Sequence, residues 1–530
     1  MTERPWLFAS RWLAVLALVA YCLWRSIAAA AAYFGSADAY SYLSAWRSAA
    51  RNAPSGRLAL LCADVHSISP VERSRMVAMS WERAPSPIDV IDQSSDLEPV
   101  NCVLSSIWHP ASIGRRLESS GFSAVSTNEY VKTWSRASYS MHIPCRRPLG
   151  ASIHREVAAL AVELLLLLIA FALVFSMRGI TWWKLIAPVV VAFVLGAVAL
   201  SHPLLAPNGL GVYGGKAKLL YECGGMPGEF LDSAGGMALQ PSYPPGLTLL
   251  AYFHFALSGG CGDRLVQLLV VFAVAALCFA MLRRAERPLD ALPVALFCLS
   301  PVSVRMTSGF CAEPFAALML LIGWNAICRG SLLAGAFALG LAGMFRPEAG
   351  VVAAIFALGA CFVRSGVRGK LFAIALSVAP TVAWVAASRL LGYGRIADWN
   401  FCIAPNLGHV AYGVWCEAKA LGMFVVPIVA VAFLVRPFCK PCLARDAVSA
   451  LVPMLVLLAA IPMFCAFHTS QHAQWMMDNT IPRLLWYISA VPLAVLVQKS
   501  RHSKYQRGDS CKLKASRKYT RSIRLQEKRL

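Results

Sequence analysis

The chain has 530 residues, 58% of them hydrophobic and 14% charged, with a mean hydropathy of +0.59. Soluble domains carry about 25% charged residues, so this composition excludes a soluble globular enzyme. The formal charge of +22 does not mark a nucleic-acid binder either: the segment Lys499 to Leu530 holds twelve Lys and Arg against Asp509 and Glu527 and supplies +10 of it.

Windows of about 19 residues place apolar spans near 12–33, 157–176, 182–202, 264–283, 289–305, 312–328, 331–345, 349–363, 371–391, 419–435, 447–467 and 482–498. The prediction is a mainly α, polytopic membrane protein of about 12 transmembrane helices, several short or interrupted by Pro and Gly. Taken in order, residues 1–178 form an N-terminal unit of one span, a hydrophilic stretch over about 34–155, and a return span. Arg4 and Arg11 put the N-terminus on the cytoplasmic side. The small residues of "SIAAAAA" raise a cleaved leader as the alternative, but the apolar run is long for one, which favours an anchor. Within 34–155, "GRLALLCADV", "SPIDVIDQ" and "PVNCVLSSIW" read as strands, and "SPVERSRMVAMSW" and "ASIGRRLESSGF" as helices. That pattern predicts a small α/β extracytoplasmic insertion without a metal cluster or phosphate loop.

Residues 179–498 form the membrane core, whose largest outer loop is 203–263, with further outer loops near 392–418 and 468–481. Basic residues recur in alternate loops: Arg283, Arg284 and Arg287; Arg329; Arg364, Arg368 and Lys370; Arg436, Lys440 and Arg445. These loops share one side only if the segment 244–258 does not cross, so "QPSYPPGLTLL" is expected to open a helix lying at the outer interface. The basic tail 499–530 then lies in the cytoplasm against anionic lipid or in solvent. Cysteines on the outer side, Cys62, Cys102, Cys145, Cys223, Cys261, Cys402 and Cys416, are free to pair; "CKPC" at 439–442 has no partner ligands nearby and is not read as a metal site.

Polar residues at a membrane face require a reason. The loop 203–263 holds Lys216 and Lys218, then Glu222, Glu229 and Asp232, then Tyr243, with Arg264 opening the next span. Two lysines and an arginine beside an interfacial helix suit a phosphate-bearing lipid, and a carboxylate of the same loop suits a general base. Ordinary loop charges are the plainer alternative. Glu313 heads one span in "SGFCAEPFAALMLL", and Arg346 and Glu348 close another in "GMFRPEAG", either as cavity walls or as a structural ion pair. The stretch "HTSQHAQWMMDNT" places Trp475 and Asp478 beside His468 and His472, which lack a third metal ligand; a sugar-binding Trp or a plain polar loop fits better. The notable charges all fall at predicted span ends.

The order "KAK", "YPPG", Arg at the next span, "AEP" and "FRPE" resembles that of the bacterial membrane glycosyltransferases of the GT-C fold, related to protein O-mannosyltransferases and aminoarabinose transferases. The similarity covers about 182–498. It implies a GT-C-like core in a bacterial inner membrane, taking a polyprenyl-phosphate-linked sugar as donor and a glycan, lipid or protein as acceptor among membrane lipids. Lys216, Lys218 and Arg264 would face the donor phosphate, and Tyr243, Glu313, Arg346, Glu348 and Trp475 would line the cavity. No cofactor is evident, although some relatives use a divalent metal. The usual Asp base is missing from "APNGLGVYGGKAK"; Glu222, Glu229, Asp232 or Asp38 in "DAYSYLSAWRSA" would have to replace it, or catalysis has been lost. A transporter or flippase of lipid-linked cargo and a non-catalytic scaffold are the rival readings.

Overall fold

The computed structural model describes residues 5–34, 45–47, 49–50, five strands and one helical turn (117–118) between 58 and 136, 153–174, 181–201, 208–225, 240–362 apart from 284 and 286, 369–391 with 393, 406–435, 444–466 and 473–497. Asp38, Asp232, Glu229, the helix expected over "SPVERSRMVAMSW", the "CKPC" loop and the tail 499–530 lie outside the described residues.

The described chain is mostly helical. Six helices are long and apolar enough to cross a membrane: 12–29 within Pro5–Phe34 (α1), Trp183–Ser201 (α3), Leu265–Leu282, Lys370–Leu390, Leu407–Val435 and Met477–Val497. A bent pair, Pro288–Cys298 and Pro301–Ser308, makes a seventh candidate. Ala444–Ala466 and Ile153–Val174 (α2) are further apolar helices. The sequence count of about twelve is therefore not reached among the described residues by length and composition. Side chains such as Phe193, Leu371 and Leu390 point outward from the bundle, as a lipid-facing surface requires.

Three boundaries differ from the sequence reading. The span expected at 289–305 breaks by 54° where Ser300 caps the second helix and Pro301 occupies its first position. The outer loop expected over 392–418 is helical from Leu407, continuing through a π-helical segment at Leu421–Val425 into Val426–Val435. The loop expected over 468–481 is helical from Ala473. Polar residues in both stretches hid an apolar face that only packing selects.

Packing between spans relies on small residues. A Cβ at Gly323 would lie 2.6 Å from the Gly335 carbonyl oxygen, so the helices Glu313–Arg329 and Leu332–Leu341 meet backbone to backbone. The N-terminal unit carries one five-stranded sheet: β1 Leu58–Leu61, β2 Ile88–Ile91, β3 Cys102–Ser106, β4 Phe122–Thr127 and β5 Val131–Arg136, in the order β2-β1-β3-β5-β4. β1 runs parallel to β2 and β3, whereas β3–β5 and β4–β5 are antiparallel. The first three strands coincide with the sequence reading. β4 and β5 were not anticipated, because the alternation in "FSAVST" and "VKTWSR" is broken by polar residues on both faces.

Besides helix packing, polar contacts tie the unit to the core. Arg47 pairs with Asp263 at 2.8 Å, and Glu163 on α2 meets Nδ1 of the buried His254 at 3.1 Å. His254 lies on the helix Gly246–Ser258 (α5), which is 13 residues long. At about 1.5 Å per residue it measures roughly 20 Å, short of the roughly 30 Å hydrocarbon layer.

Candidate functional site

Helix ends sort into two sets. At one end of the bundle the Lys184 ammonium, at the start of α3, donates to the Arg283 carbonyl at 2.8 Å. At the other end lie the turn before α5, the start of Glu313–Arg329 and the turn before Pro347–Phe362. The candidate site is built there.

Its first part is the Tyr-Pro-Pro-Gly turn. Gln240 opens it with φ of 49°, a left-handed conformation rarely held without support. Three backbone carbonyls of the turn each accept from a side chain: Gln240 and Tyr243 from Lys216 Nζ at 3.3 and 3.1 Å, and Ser242 from Trp384 Nε1 at 2.8 Å. Gly246 is required by close approach, since a Cβ there would meet the Met344 carbonyl at 2.5 Å. The turn is thus fastened to three separate elements.

Lys216 sits on the helix Gly214–Cys223 (α4) and is 1% exposed. Burial pushes its ammonium down to about 7. Its hydrogen-bonding capacity goes to the turn. Lys218, two residues on, pairs instead with Glu222 at 3.7 Å. Arg264 is exposed at the start of the next span. The three cations expected around one phosphate therefore do three different things: Lys216 supports backbone, Lys218 faces a carboxylate, and Arg264 lies on the surface.

The second part is a buried acid–arginine cluster. Arg346 donates through Nε to Glu348 Oε1 at 2.8 Å and through Nη2 to the same oxygen, and its Nη1 lies 3.7 Å from Glu313 Oε1. Arg483 Nη1 reaches the same Glu313 oxygen at 3.2 Å. Glu313 is 1% exposed and has Pro314 beside it in the first turn of its helix, where a carboxylate also complements the helix dipole. The Arg346 guanidinium lies 5.6 Å from the centre of the Tyr243 ring, which couples the cluster to the turn. Tyr213, fully buried at the end of the π-helical segment Asn208–Tyr213, lies within electrostatic reach of Arg346, Glu313 and Tyr243, and burial raises its phenol well above the usual range. Glu348 Oε2 and the Tyr487 hydroxyl are buried without a hydrogen-bond partner among the described residues. Trp475 lies in the helix Ala473–Val497.

Arg483 was not singled out in the sequence, where it stands at the edge of the span expected over 482–498. It lies inside an apolar helix, as does the buried Glu417 in Leu407–Ala420. A lone ionisable residue in an apolar run was the available signal. Among the described residues Cys261 and Cys416 form no disulfide, and no group of three His, Cys, Asp or Glu could hold a metal.

By helix length and composition the chain is a helical membrane protein. Comparison with protein-family models, with curated proteins and with solved structures finds no match to it.

Proposed function

We propose that the chain is a membrane glycosyltransferase of the GT-C type, with about twelve spans in all. It would move a sugar from a polyprenyl-phosphate-linked donor to an acceptor hydroxyl at the extracytoplasmic face. The observation that supports this most is the pairing of a short apolar helix behind a fixed turn with a buried acid–arginine cluster at the same end of the bundle. A helix too short to cross offers an apolar shelf for a lipid chain, and the charged floor beside it suits the chain's phosphate and sugar.

In this reading Lys216 fixes the shelf, and the acceptor hydroxyl loses its proton to a carboxylate of that end while the sugar–phosphate bond breaks. Asp38, Asp232 and Glu222 are the carboxylates that the sequence offers. Protein reconstituted in liposomes with labelled polyprenyl-phosphate sugars should transfer label to an acceptor; absence of transfer with every sugar tried would sink the reading. Arg483 and Glu417 inside apolar helices favour a second reading, a transporter of lipid-linked cargo, for which the same liposomes would show translocation without transfer.

A further inference from the structure

Beside the acid–arginine cluster lies a second polar group, joined to it through Arg483. Asp478, half-buried near the start of Ala473–Val497, accepts a hydrogen bond from Tyr412 Oη at 2.7 Å on one oxygen and from Cys416 Sγ at 3.4 Å on the other. Tyr412 and Cys416 are one turn apart on Leu407–Ala420, so a single helix face orients the carboxylate. The next residue, Asn479, receives two arginines from different elements. Arg305, from Pro301–Ser308, donates through Nη2 to its side-chain oxygen, and Arg483 donates through Nε to its carbonyl at 2.7 Å.

The three charged groups differ in how far they are committed. Arg483 already faces Glu313. Arg305 is exposed, and its recorded hydrogen bond goes to a neutral amide, so most of its fork remains open. Asp478 accepts from two neutral donors, and a carboxylate has about four lone-pair directions, so about two remain for an incoming hydroxyl. A carboxylate held in place by neutral donors, with capacity left over, lies one residue from the point where two guanidinium groups converge. A donor phosphate and a hydroxyl nucleophile need that combination.

We propose that Asp478 is the base of the transfer reaction and that Arg305, with Arg483 behind it, holds the phosphate of the donor. This rests on the glycosyltransferase reading and assigns to residues of the described core two roles that the sequence left among Asp38, Asp232 and the loop cations. The step balances as a direct displacement. The acceptor oxygen forms the bond to the anomeric carbon, its proton passes to Asp478, and the carbon–oxygen bond to phosphate breaks. The electron pair leaves with the polyprenyl phosphate against Arg305. Tyr412 is a positioning residue, acting through Asp478.

The test uses the full chain in nanodiscs, with two readouts: the thermal shift produced by polyprenyl phosphate, and transfer from a polyprenyl-phosphate sugar. Asp478→Asn is expected to keep the thermal shift and lower transfer by about 10²–10⁴-fold, with partial recovery in Asp478→Glu. Arg305→Gln is expected to weaken polyprenyl phosphate binding roughly tenfold or more, because a charge-assisted contact is lost. Tyr412→Phe should lower turnover while leaving the lipid affinity unchanged. Ligand-free melting of each variant separates folding loss from site loss. Transfer that survives Asp478→Asn but disappears in Asp38→Asn or Asp232→Asn overturns the inference and leaves the glycosyltransferase reading intact. A wild type that binds polyprenyl phosphate through Arg305 yet transfers no sugar sinks both the reading and the base assignment, leaving only the phosphate contact. An equal shift from phosphatidylglycerol nanodiscs marks a general headgroup contact and overturns the donor assignment, and no shift from either lipid overturns the whole.

Discussion

The two ends of the helix bundle treat the same residue types in opposite ways. At the end marked by Lys184 and Arg283, the described arginines are solvated or half-buried beside helix termini, and Lys184 donates to a carbonyl and lies over the Trp183 ring. At the Glu313 end, Arg346 and Arg483 are driven inward and share one buried carboxylate. Charges near lipid headgroups cost little to keep and set orientation. Buried charges are expensive unless paired, so an end that collects two guanidinium groups, two glutamates and a tyrosine hydroxyl with no hydrogen-bond partner among the described residues carries a cost that the pairing must offset.

The comparison breaks most sharply at Glu313. Glu313→Gln leaves Arg346 and Arg483 without their shared partner and should cost about 3–5 kcal/mol, read as a large fall in melting temperature in detergent. Arg287→Gln, exposed at the opposite end, should leave melting nearly unchanged. If both substitutions cost the same, the two ends do not differ as described.

A smaller effect is expected at Gly246, where Gly246→Ala drives a methyl into the Met344 carbonyl and should cost about 1–3 kcal/mol by overpacking. Lys216 adds a pH dependence of defined sign. Its folded-state value near 7 lies below the roughly 10.4 of an unfolded lysine, so between these values the unfolded chain binds more protons. Stability should therefore rise with pH above about 7, by at most about 1.4 kcal/mol per unit, and Lys216→Met should lose that rise. A parallel pH profile in the two proteins would show that Lys216 is not desolvated. The smallest effect belongs to the exposed Arg264, where Arg264→Gln should change stability by no more than about 0.5 kcal/mol.

Legibility differed along the chain for physical reasons. Apolar spans stood out because a bilayer demands long runs of one residue class, and the helices Trp183–Ser201, Leu265–Leu282 and Lys370–Leu390 fall close to where hydropathy placed them. Polar starts hid the true beginnings of Leu407–Ala420 and Ala473–Val497, since Tyr412, Glu417, Asp478 and Asn479 read as loop until a partner helix supplies their acceptors and donors. Glu313, Arg346 and Glu348 could be named together from "AEP" and "RPE". That Arg346 contacts both glutamates, and that Arg483 joins them from a segment far along the chain, could not.

By itself the sequence determined a helical membrane protein, because hydropathy acts locally along the chain. It also marked the Tyr-Pro-Pro-Gly turn, since two prolines and a glycine constrain backbone wherever they occur. Only the tertiary structure decided what each cation does. Lys216 and Lys218 are two residues apart on one helix and so point in different directions, one to the carbonyls of a distant turn and the other to a carboxylate one helical turn away. Which partner a charge meets depends on the elements folded against it, and spacing along the chain carries no record of that.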